Sequence, residues 1–493
     1  LTTQGRFWLV HAVDRRYIKP MNSELPDLQL DSDACRRARL ARDRRFDGEF
    51  FLAVRTTGIY CRPVCPARAP AEHNVTYFRT ATQAARAGYR PCLRCRPESA
   101  PGSAAWEGAS TTVRRALRLI EQGALNQHSL AQLAERLGVG ERYLRKLFQR
   151  ELGVSPQAVA LNRRLLFAKQ LLTETTMPVT EVAFAAGFGS VRRFNSTFRE
   201  QLRLSPGQVR TRQTSPRAGS GLRLRLQYRQ PYDWEGTLGF FRRHAIENVE
   251  QASVDSYQRN VKINGGSGSF RVRHATKCDA LEVELDLPDQ SHLMPVIARV
   301  RRMFDLDANP DVVAQTLQIE PMLRDLWQQT PGIRAPGYGS LFEASVRAVV
   351  GQQVSTAAAR TICARLAAAT TATGCIPTFP EPADLLALDD SHFPMPSRRR
   401  ETLRRVCRLF AEHGNTLEPA QMGPLPGLGP WTMGMIYLRG SGEPDGFPPG
   451  DLGLKQAWQS LGGCPKQLDQ HAATHWRPWG AYAANLLWRS LSQ

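Results

Sequence analysis

Four cysteines stand in two close pairs near the beginning of the chain. Cys61 and Cys65 are separated by three residues, 26 residues follow, and Cys92 and Cys95 are separated by two. Thiolates at such spacing can bind a single Zn²⁺ in a tetrahedral shell. The alternative is a set of reduced, unligated cysteines in a small core, which the two close pairs disfavour. The spacing therefore predicts one zinc ion, Zn(II), bound by these four side chains.

A second pattern with chemical meaning lies near the other end. The stretch GPLPGLGPWTMGMI, residues 423–436, contains the turn of a helix-hairpin-helix. In this turn Gly427 and Gly429 permit a tight bend and leave backbone N–H groups free to meet a phosphate. About 20 residues later, Asp451 follows a Gly- and Pro-rich turn and precedes a predicted helix. An Asp at such a place is most often an N-cap, but its pairing with the upstream hairpin favours a catalytic role.

The composition indicates a partner of opposite charge. The chain has 493 residues, a formal net charge of +20 and a pI of about 10. A field of that sign attracts polyanions, with nucleic acid as the first candidate and anionic membrane as the second. No run of about 18 apolar residues occurs, so a membrane span is not expected. The ten cysteines do not suggest a disulfide framework in a chain of cytosolic character.

Linkers divide the chain into several parts. Residues 96–110 and 210–223 are rich in Pro, Gly, Ser, Ala and Arg, and a chain of this length is expected to hold about three or four domains. Alternating segments at 222–229 and 280–287 predict strands. From about residue 290 onward the pattern predicts helices.

The block between the linkers repeats one plan twice. Residues 128–156 and 177–206 each show apolar residues at helical spacing on both sides of a Gly-containing turn, which predicts two helix-turn-helix units. Ser129 is the predicted cap of the first unit, and the recognition helices are expected at about 140–149 and 190–200. The predicted core residues of these helices are Leu144, Leu147, Phe194 and Phe198. The candidate DNA contacts are Arg142, Arg145 and Lys146 on the first helix and Arg192, Arg193 and Asn195 on the second.

Residues 34–98 resemble the N-terminal domain of Ada-type regulatory proteins of the adaptive response to DNA methylation. The resemblance includes every cysteine interval and the segment FDGEFFLAVRTTGIYCRPVCPARAP. It implies that Cys61 accepts a methyl group from a methylphosphotriester in DNA, once per molecule, while Cys65, Cys92 and Cys95 complete the zinc shell. Methylation would change the formal charge of Zn(II) with four thiolates from about −2 to about −1. Repulsion from DNA phosphates then falls, and DNA binding strengthens.

The two helix-turn-helix units resemble the DNA-binding domain of AraC-type transcription regulators. The long helix PQAVALNRRLLFAKQLLTET between the units is part of the resemblance. It implies that two recognition helices enter successive segments of the major groove of promoter DNA.

Residues from about 222 to the end resemble helix-hairpin-helix DNA glycosylases, specifically the 3-methyladenine DNA glycosylase II (AlkA) type. The segments QPYDWEGTLGFFRRHAIENVE, RMFDLDANP, VRAVVGQQVS and HWRPWGAYAANLLW carry the resemblance together with the hairpin. It implies that Asp451 is the catalytic carboxylate and that Trp431 and Trp488 are aromatic residues of the pocket for a flipped base. The alternative assigns both tryptophans to the hydrophobic core.

Several positions depart from that family. Gly450 replaces one member of an acidic pair, Met435 stands in place of a pocket tyrosine, and Gln353 occupies the wedge position, which is apolar in close relatives. Members with lyase activity carry a Lys just after the hairpin, where this chain has Trp431, so we expect a monofunctional glycosylase. The P-C-H-R motif of O6-methylguanine methyltransferases, the usual second repair domain of Ada proteins, is absent.

The predicted fold is multidomain and mainly α with α+β parts. It comprises a small zinc domain, a double helix-turn-helix domain, an antiparallel α+β domain and an all-α helix-hairpin-helix glycosylase domain. The predicted boundaries are a tail of unknown role at 1–33 with Met21 as a candidate natural start, the zinc-binding methyl-acceptor domain at 34–98, a linker at 99–110, the double helix-turn-helix at 111–210, a linker at 211–221, the glycosylase α+β domain at 222–290 and the helix-hairpin-helix domain at 291–493.

The predicted function is DNA alkylation repair combined with methylation-responsive transcription regulation. The expected partners are double-stranded DNA, methylated DNA and promoter DNA, with RNA polymerase as a further candidate. We expect a monomer without membrane contact, in the bacterial-type cytoplasm at the nucleoid. Two alternatives stay open: a transcription regulator whose glycosylase half only binds DNA, and a repair enzyme whose other parts only anchor it there.

Overall fold

The structure is a computed structural model in which helices predominate and two sheets are present. It describes residues 31–97, 100, 111–210, 222–263, 266–276, 278–414 and 417–491. Apart from Ala100, the predicted linkers at 99–110 and 211–221 lie outside the described residues, as does the predicted tail up to residue 30 with Met21. Within the described ranges, no helix has the length and apolar character needed to cross a membrane.

Residues 31–97, the cysteine-rich part, form a four-stranded sheet with two helices. The elements are α1 (Ser32–Ala41), β1 (Phe51–Val54), β2 (Ile59–Cys61), β3 (Val75–Phe78), α2 (Ala81–Arg86) and β4 (Arg90–Pro91). The strand order is β3-β1-β2-β4, and β2 pairs with β4 in parallel. Cys61 ends β2 and Cys92 directly follows β4, so this pairing brings the two cysteine pairs to one end of the sheet.

Residues 111–210, the helix-turn-helix part, contain only helices. They are α3 (Thr111–Glu121), α4 (Ala124–Gln127), α5 (Leu130–Arg136), α6 (Glu141–Leu152), α7 (Pro156–Glu174), α8 (Val179–Ala185), α9 (Val191–Leu202) and α10 (Pro206–Val209). The hydroxyl of Ser129 accepts the backbone N–H of Gln132 and caps α5, as predicted. The recognition helices α6 and α9 extend slightly beyond their predicted ends, until left-handed Gly153 and Arg203 stop them. Their four predicted core side chains are buried.

Residues 222–290 form an antiparallel sheet with one helix packed against it. The elements are β5 (Leu222–Gln227), α11 (Trp234–His244), β6 (Glu250–Ala252), β7 (Ser256–Ile263), β8 (Gly266–Ala275) and β9 (Ala280–Asp286). The strand order is β5-β9-β8-β7-β6. The two strands predicted from alternation, β5 and β9, are neighbours in this sheet. Leu224 and Leu226 point into the core, whereas Arg223 and Arg225 face outward, which is the alternation that a half-buried strand requires.

Residues 291–491, the helical part, confirm the prediction of helices from about residue 290. The helices are α12 (Leu293–Met303), α13 (Pro310–Leu317), α14 (Pro321–Gln329), α15 (Leu341–Val350), α16 (Thr356–Ala369), α17 (Pro382–Ala387), α18 (Ser397–His413), α19 (Pro419–Met422), α20 (Pro430–Ile436), α21 (Leu452–Ser460), α22 (Leu468–His475) and α23 (Gly480–Ser490). Their buried apolar side chains form two clusters, one around α15, α16 and α18 and the other around α14, α21 and α23.

A buried network of charges joins the sheet to the helical part. Arg259 on β7 donates to Glu250 at 2.7 Å and also pairs with Glu343 on α15. Arg347, one turn further along α15, donates through Nε to Glu343 at 2.9 Å and pairs with Glu250. Burial alone would raise the pKa of Glu250, but the two guanidinium groups lower it to about 2, so this carboxylate is ionised at neutral pH.

Buried polar contacts also join the parts to each other. Glu174, the last residue of α7, accepts from Arg96 of the cysteine-rich part at 3.2 Å and from the backbone N–H of Arg225 on β5 at 3.1 Å. Arg229, which is almost fully buried, donates to the carbonyl oxygens of Asp47 at 2.9 Å and Asp307 at 2.8 Å. The cysteine-rich part is therefore hydrogen-bonded to both the helix-turn-helix part and the C-terminal half.

Removal of one cation from the buried network is expected to destabilise the C-terminal half strongly. Arg259→Ala leaves the charges of Glu250 and Glu343 only partly compensated, and the expected loss is about 3–5 kcal/mol in the free energy of unfolding. Urea unfolding followed by tryptophan fluorescence measures it. The control is Arg223→Ala, which breaks an exposed pair with Glu284 and should cost less than about 1 kcal/mol. Equal effects of the two changes would contradict the role given to the network.

Candidate functional sites

The four predicted zinc ligands converge on one point. The Sγ atoms of Cys61, Cys65, Cys92 and Cys95 all lie within 4.8 Å of one another. Backbone N–H groups approach two of these sulfurs, with 3.4 Å from Arg62 N to the Sγ of Cys95 and a similar contact at Cys92. Such N–H groups stabilise negative sulfur. Four thiol sulfurs at this separation, with N–H groups beside two of them, fit one Zn²⁺ in a tetrahedral shell.

Two buried cations flank the cysteine cluster. Arg62 follows Cys61 directly, donates to Asp47 Oδ1 at 2.8 Å and donates to the carbonyl oxygen of Cys95 at 3.1 Å. Lys169, in the middle of α7, is fully buried and its Nζ donates to the carbonyl oxygen of Cys92 at 3.1 Å. The charge of Arg62 is paired with Asp47, whereas Lys169 places positive charge beside a centre that would carry a formal charge of about −2 with zinc bound. Sequence reasoning missed both residues, since no local signal joins Lys169 to a loop in another part of the chain.

The recognition helices present their predicted contact residues to solvent. Arg142, Arg145 and Lys146 on α6 are exposed, and so are Arg192, Arg193 and Asn195 on α9. Arg145 pairs with Glu141 one turn before it on the same helix. The positive faces of both helices are thus accessible to a polyanion, while the apolar faces fill the core.

The helix-hairpin-helix turn is formed as predicted between α19 and α20. Gly427 has φ +96°, and a Cβ atom there would lie 2.0 Å from the Oγ1 atom of Thr402, so this position requires glycine for two reasons. The carbonyl oxygen of Gly427 accepts from Gln352 Nε2 at 2.9 Å. Gly429 is the N-cap of α20, and a Cβ atom there would meet no other atom within 4 Å. Pro430 at the first position has no N–H, so the first N–H groups of α20 that lack a partner within the helix are those of Trp431 and Thr432.

Asp451 is held by three N–H donors from three different helices. Trp431 Nε1 on α20 donates to Oδ2 at 2.9 Å, and Trp488 Nε1 on α23 donates to Oδ1 at 3.1 Å. The backbone N–H of Leu454 donates to Oδ1 at 2.9 Å, which makes Asp451 the N-cap of α21. Asp451 is thus an N-cap, and its bond to Trp431 also links it to the helix that follows the hairpin turn. Gly450 before it has φ +79°, which explains a glycine at that position.

A cavity of about 230 Å³ opens beside this carboxylate. Its walls include Asp451, Trp431 and Met435 of the predicted site, while Trp488 adjoins it through the bond to Asp451. Gln353 is exposed with φ +55° in the turn between Gly351 and Val354, which both line the cavity. The predicted pocket residues are therefore brought together around one opening.

Sequence reasoning did not single out most residues in the walls of the cavity. Those with polar or titratable side chains are His244, Tyr338, Arg347, Thr356, Arg360, Cys363 and Arg439. Arg439 donates to the carbonyl oxygen of Pro336 at 2.6 Å and to Asn485 Oδ1 at 3.0 Å, and its guanidinium carbon lies 5.2 Å from the centre of the Trp488 ring. Burial lowers its pKa to about 10, so it is a cation at neutral pH. It holds the indole that in turn holds Asp451.

Models of known protein families match three of these regions. The family model of the metal-binding domain of Ada matches residues 34–98, a helix-turn-helix domain model matches residues 133–212, and the AlkA N-terminal domain model matches residues 223–340. With four thiols in contact distance, the first match confirms the prediction of a zinc site for one ion. The fold and sites define a fusion of an Ada-type metal-binding domain, a helix-turn-helix domain and an AlkA-type helix-hairpin-helix domain.

Whole-chain relatives identify the family more closely. The chain is 39% identical over 483 residues, 94% of its length and 97% of the relative, to a Mycobacterium tuberculosis protein named "Probable bifunctional transcriptional activator/DNA repair enzyme AlkA". It is 30% identical over 53% of its length to the Escherichia coli DNA-3-methyladenine glycosylase 2, of which it covers 95%. It is 42% identical over 24% of its length to the E. coli bifunctional transcriptional activator/DNA repair enzyme Ada, of which it covers 32%. The chain belongs to the family of bifunctional transcriptional activator/DNA repair enzymes AlkA.

Loss of one thiol from the cluster is expected to abolish stable metal binding. The native chain should hold one zinc ion per molecule, whereas Cys92→Ser should hold well below one, because three thiolates bind zinc less tightly than four. Metal content after dialysis, measured by mass spectrometry of the element, gives the comparison. Cys278→Ser, at an exposed cysteine outside the cluster, is the matched control and should keep the native zinc content. Full zinc content in Cys92→Ser would refute the ligand set.

Proposed function

We propose that the chain excises alkylated bases from DNA and also regulates transcription in response to DNA methylation. Excision is the hydrolysis of the N-glycosidic bond of bases such as 3-methyladenine and 7-methylguanine. The observation that carries it is the carboxylate of Asp451, which two indole N–H groups hold at the edge of a cavity large enough for one nucleobase.

The carboxylate suits the charge that develops during excision. As the bond from C1′ to the base nitrogen breaks, its electron pair leaves with the base and the sugar becomes positive. Asp451 stabilises that charge, and a water adds to C1′ and loses its proton to the carboxylate, which leaves an abasic site. The three N–H donors fix the orientation of the carboxylate, so little reorganisation is needed in the transition state.

The aromatic walls suit the leaving group. A 3- or 7-alkylated purine carries positive charge, which makes it a good leaving group and attracts it to Trp431 in the cavity wall, with Trp488 adjoining through Asp451. Both indoles donate their N–H to a carboxylate, so each ring is polarised toward greater electron density on its face. Trp431 stands where an amine nucleophile would be needed for lyase chemistry, so the reaction ends with base release.

The remaining surfaces suit a DNA duplex. The N–H groups of Trp431 and Thr432 at the start of α20 can receive a phosphate, and exposed Gln353 beside the cavity can fill the space left by a flipped nucleotide. The positive faces of α6 and α9 can enter the major groove of promoter DNA. For activation, RNA polymerase is the further partner that we propose, with the chain acting as a monomer at the nucleoid of the cytoplasm.

The cysteine cluster supports the proposed response to methylation. A bound zinc ion would keep the thiols deprotonated and therefore nucleophilic. Cys61 Sγ attacks the methyl carbon of a methylphosphotriester, the S–CH₃ bond forms, the O–CH₃ bond breaks and a phosphodiester anion leaves. No step restores the thiolate, so each molecule reacts once. Conversion of one thiolate to a thioether removes a negative charge beside the buried Lys169, so the site becomes less negative and DNA binding is favoured.

Replacement of the carboxylate is expected to stop excision without unfolding the chain. Asn remains a good N-cap, so Asp451→Asn should keep α21, but it lacks the negative charge and should slow the release of 3-methyladenine by about 10²–10³-fold. The measurement is chromatography of bases released from methylated duplex DNA under single turnover. Asp325→Asn, at an exposed carboxylate of α14, is the control and should match the native rate. A native protein that binds the DNA but releases no base would support the alternative of a DNA-binding regulator without glycosylase activity.

Incubation with methylated DNA is expected to add one methyl group to the chain. The mass should rise by that of one methylene unit, and peptide mapping should find it on Cys61. Cys61 is buried whereas Cys65 is half-buried, so the map must separate these two thiols. Cys61→Ser should abolish the addition, and Cys407→Ser, at a buried cysteine of α18, should leave it unchanged. A methyl group on Cys65 alone would overturn the assignment of the acceptor.

A further inference from the structure

Two polar side chains in the cavity wall have hydrogen-bonding capacity that the protein does not use. His244 ends α11 and Tyr338 precedes α15, and both line the cavity that contains Asp451. Their ring centres lie 6.3 Å apart. Neither residue was singled out by the sequence, and neither is needed for the chemistry at the sugar.

The histidine presents a hydrogen-bond acceptor. Its Nδ1 lies 2.8 Å from the carbonyl oxygen of Phe240, and because a carbonyl only accepts, the proton is on Nδ1. Burial, together with Arg439, Arg347 and Arg243 nearby, lowers the pKa of His244 to about 3. The ring is therefore neutral at physiological pH, and Nε2 carries a lone pair. Stacking on Phe240, with ring centres 4.3 Å apart, fixes the orientation of the ring.

The tyrosine presents a hydroxyl that can donate. The ring of Tyr338 is buried under the guanidinium of Arg347, whose central carbon lies 4.4 Å from the ring centre. Burial raises the pKa of Tyr338, so the hydroxyl keeps its proton. Among the described residues, no hydrogen bond is formed by this hydroxyl. The hydroxyl belongs to the wall of the cavity, and a ligand there that supplies an acceptor gains in affinity.

The two buried cations of the cavity wall cannot take this role because their donors are already engaged, and a third, Arg360, is exposed and donates to the carbonyl oxygen of Ala245 at 3.0 Å. Arg347 donates to Glu343, Glu250 and the carbonyl oxygen of His244, and Arg439 donates to Pro336 and Asn485. Burial raises the pKa of Cys363 to about 12, which leaves a thiol of weak hydrogen-bonding power. Thr356 is exposed at the rim. The acceptor of His244 and the hydroxyl of Tyr338 are therefore the strong polar groups that remain.

We propose that His244 and Tyr338 are specificity-determining residues that read the hydrogen-bonding edge of the flipped purine. This inference rests on the proposed glycosylase function. Nε2 of His244 accepts from an N–H of the base, and the hydroxyl of Tyr338 donates to the acceptor beside it. Adenine derivatives such as 3-methyladenine offer such a neighbouring pair as the donor N6–H and the acceptor N1.

Recognition of the flipped base is shared between this polar pair and the tryptophans. The indoles respond to positive charge and to a planar shape, whatever the edge of the base carries. The polar pair responds to a free edge, and a base whose edge is blocked leaves both groups unpaired, which costs affinity. Alkylated purines with an open edge are thus preferred over lesions in which N1 and N6 are joined in an additional ring.

The test compares an open edge with a blocked edge in the full-length protein. Tyr338→Phe removes one hydroxyl and His244→Phe keeps a stacked ring without the acceptor. Each should slow single-turnover release of 3-methyladenine from methylated duplex DNA by about three- to tenfold, the effect of one hydrogen bond. Neither should change the release of 1,N6-ethenoadenine from a synthetic duplex, because that base has no free edge. Tyr143→Phe, at an exposed tyrosine of α6, is the matched control and should behave as the native chain.

The outcomes separate this inference from the proposed function. The inference is overturned if the native chain releases 3-methyladenine but Tyr338→Phe slows the release of both lesions equally, or slows neither. Either result leaves the glycosylase function intact. Native release of 3-methyladenine but not of 1,N6-ethenoadenine would support the requirement for an open edge. Release of no base at all by the native chain would overturn the proposed function. Thermal unfolding of both variants checks their fold, and Tyr338→Phe alone decides if His244→Phe does not fold.

Discussion

A single carboxylate held by donors from three helices is the constraint on which the C-terminal half depends. Asp451 can keep its place only if α20 brings one indole, α23 brings another and α21 begins directly after it. Those three helices belong to different stretches of the chain, and the packing of α15 against α20 and of α21 against α23 brings them together. The cavity beside the carboxylate is a consequence of the same arrangement.

Charge organises the N-terminal half in a comparable way. The net charge of +20 draws the whole chain toward a polyanion. The cysteine cluster is the exception, since bound Zn²⁺ with four thiolates is negative by about two units. Lys169 donates to the carbonyl oxygen of Cys92 and offsets part of that charge from within the protein, whereas Arg62 is paired with Asp47. The sign of the local field is thus set by a small balance, which is why the loss of one thiolate can matter to a DNA-binding protein.

Local signals in the sequence predicted the elements well and the inner walls of the cavity poorly. Ser129, the strands at β5 and β9, the four cysteines and Asp451 each carry a short-range signature of cap, alternation or spacing, and the structure contains all of them. His244 and Tyr338 have no such signature, because their roles arise when separate segments pack. Arg347 donates to the carbonyl of His244 across 103 residues of sequence, a contact that no window of local pattern can contain.

The placement of Glu174 limits how freely the parts of this chain could be exchanged by recombination. Its carboxylate is only 9% exposed and is shared between a residue before α3 and the first strand of the C-terminal half. A hybrid that kept α7 but took its repair half from another source would bury this charge with one partner missing, at a cost comparable to many single core defects. The parts of the chain look separable in the linear sequence, but the shared partners of Glu174 require them to evolve together.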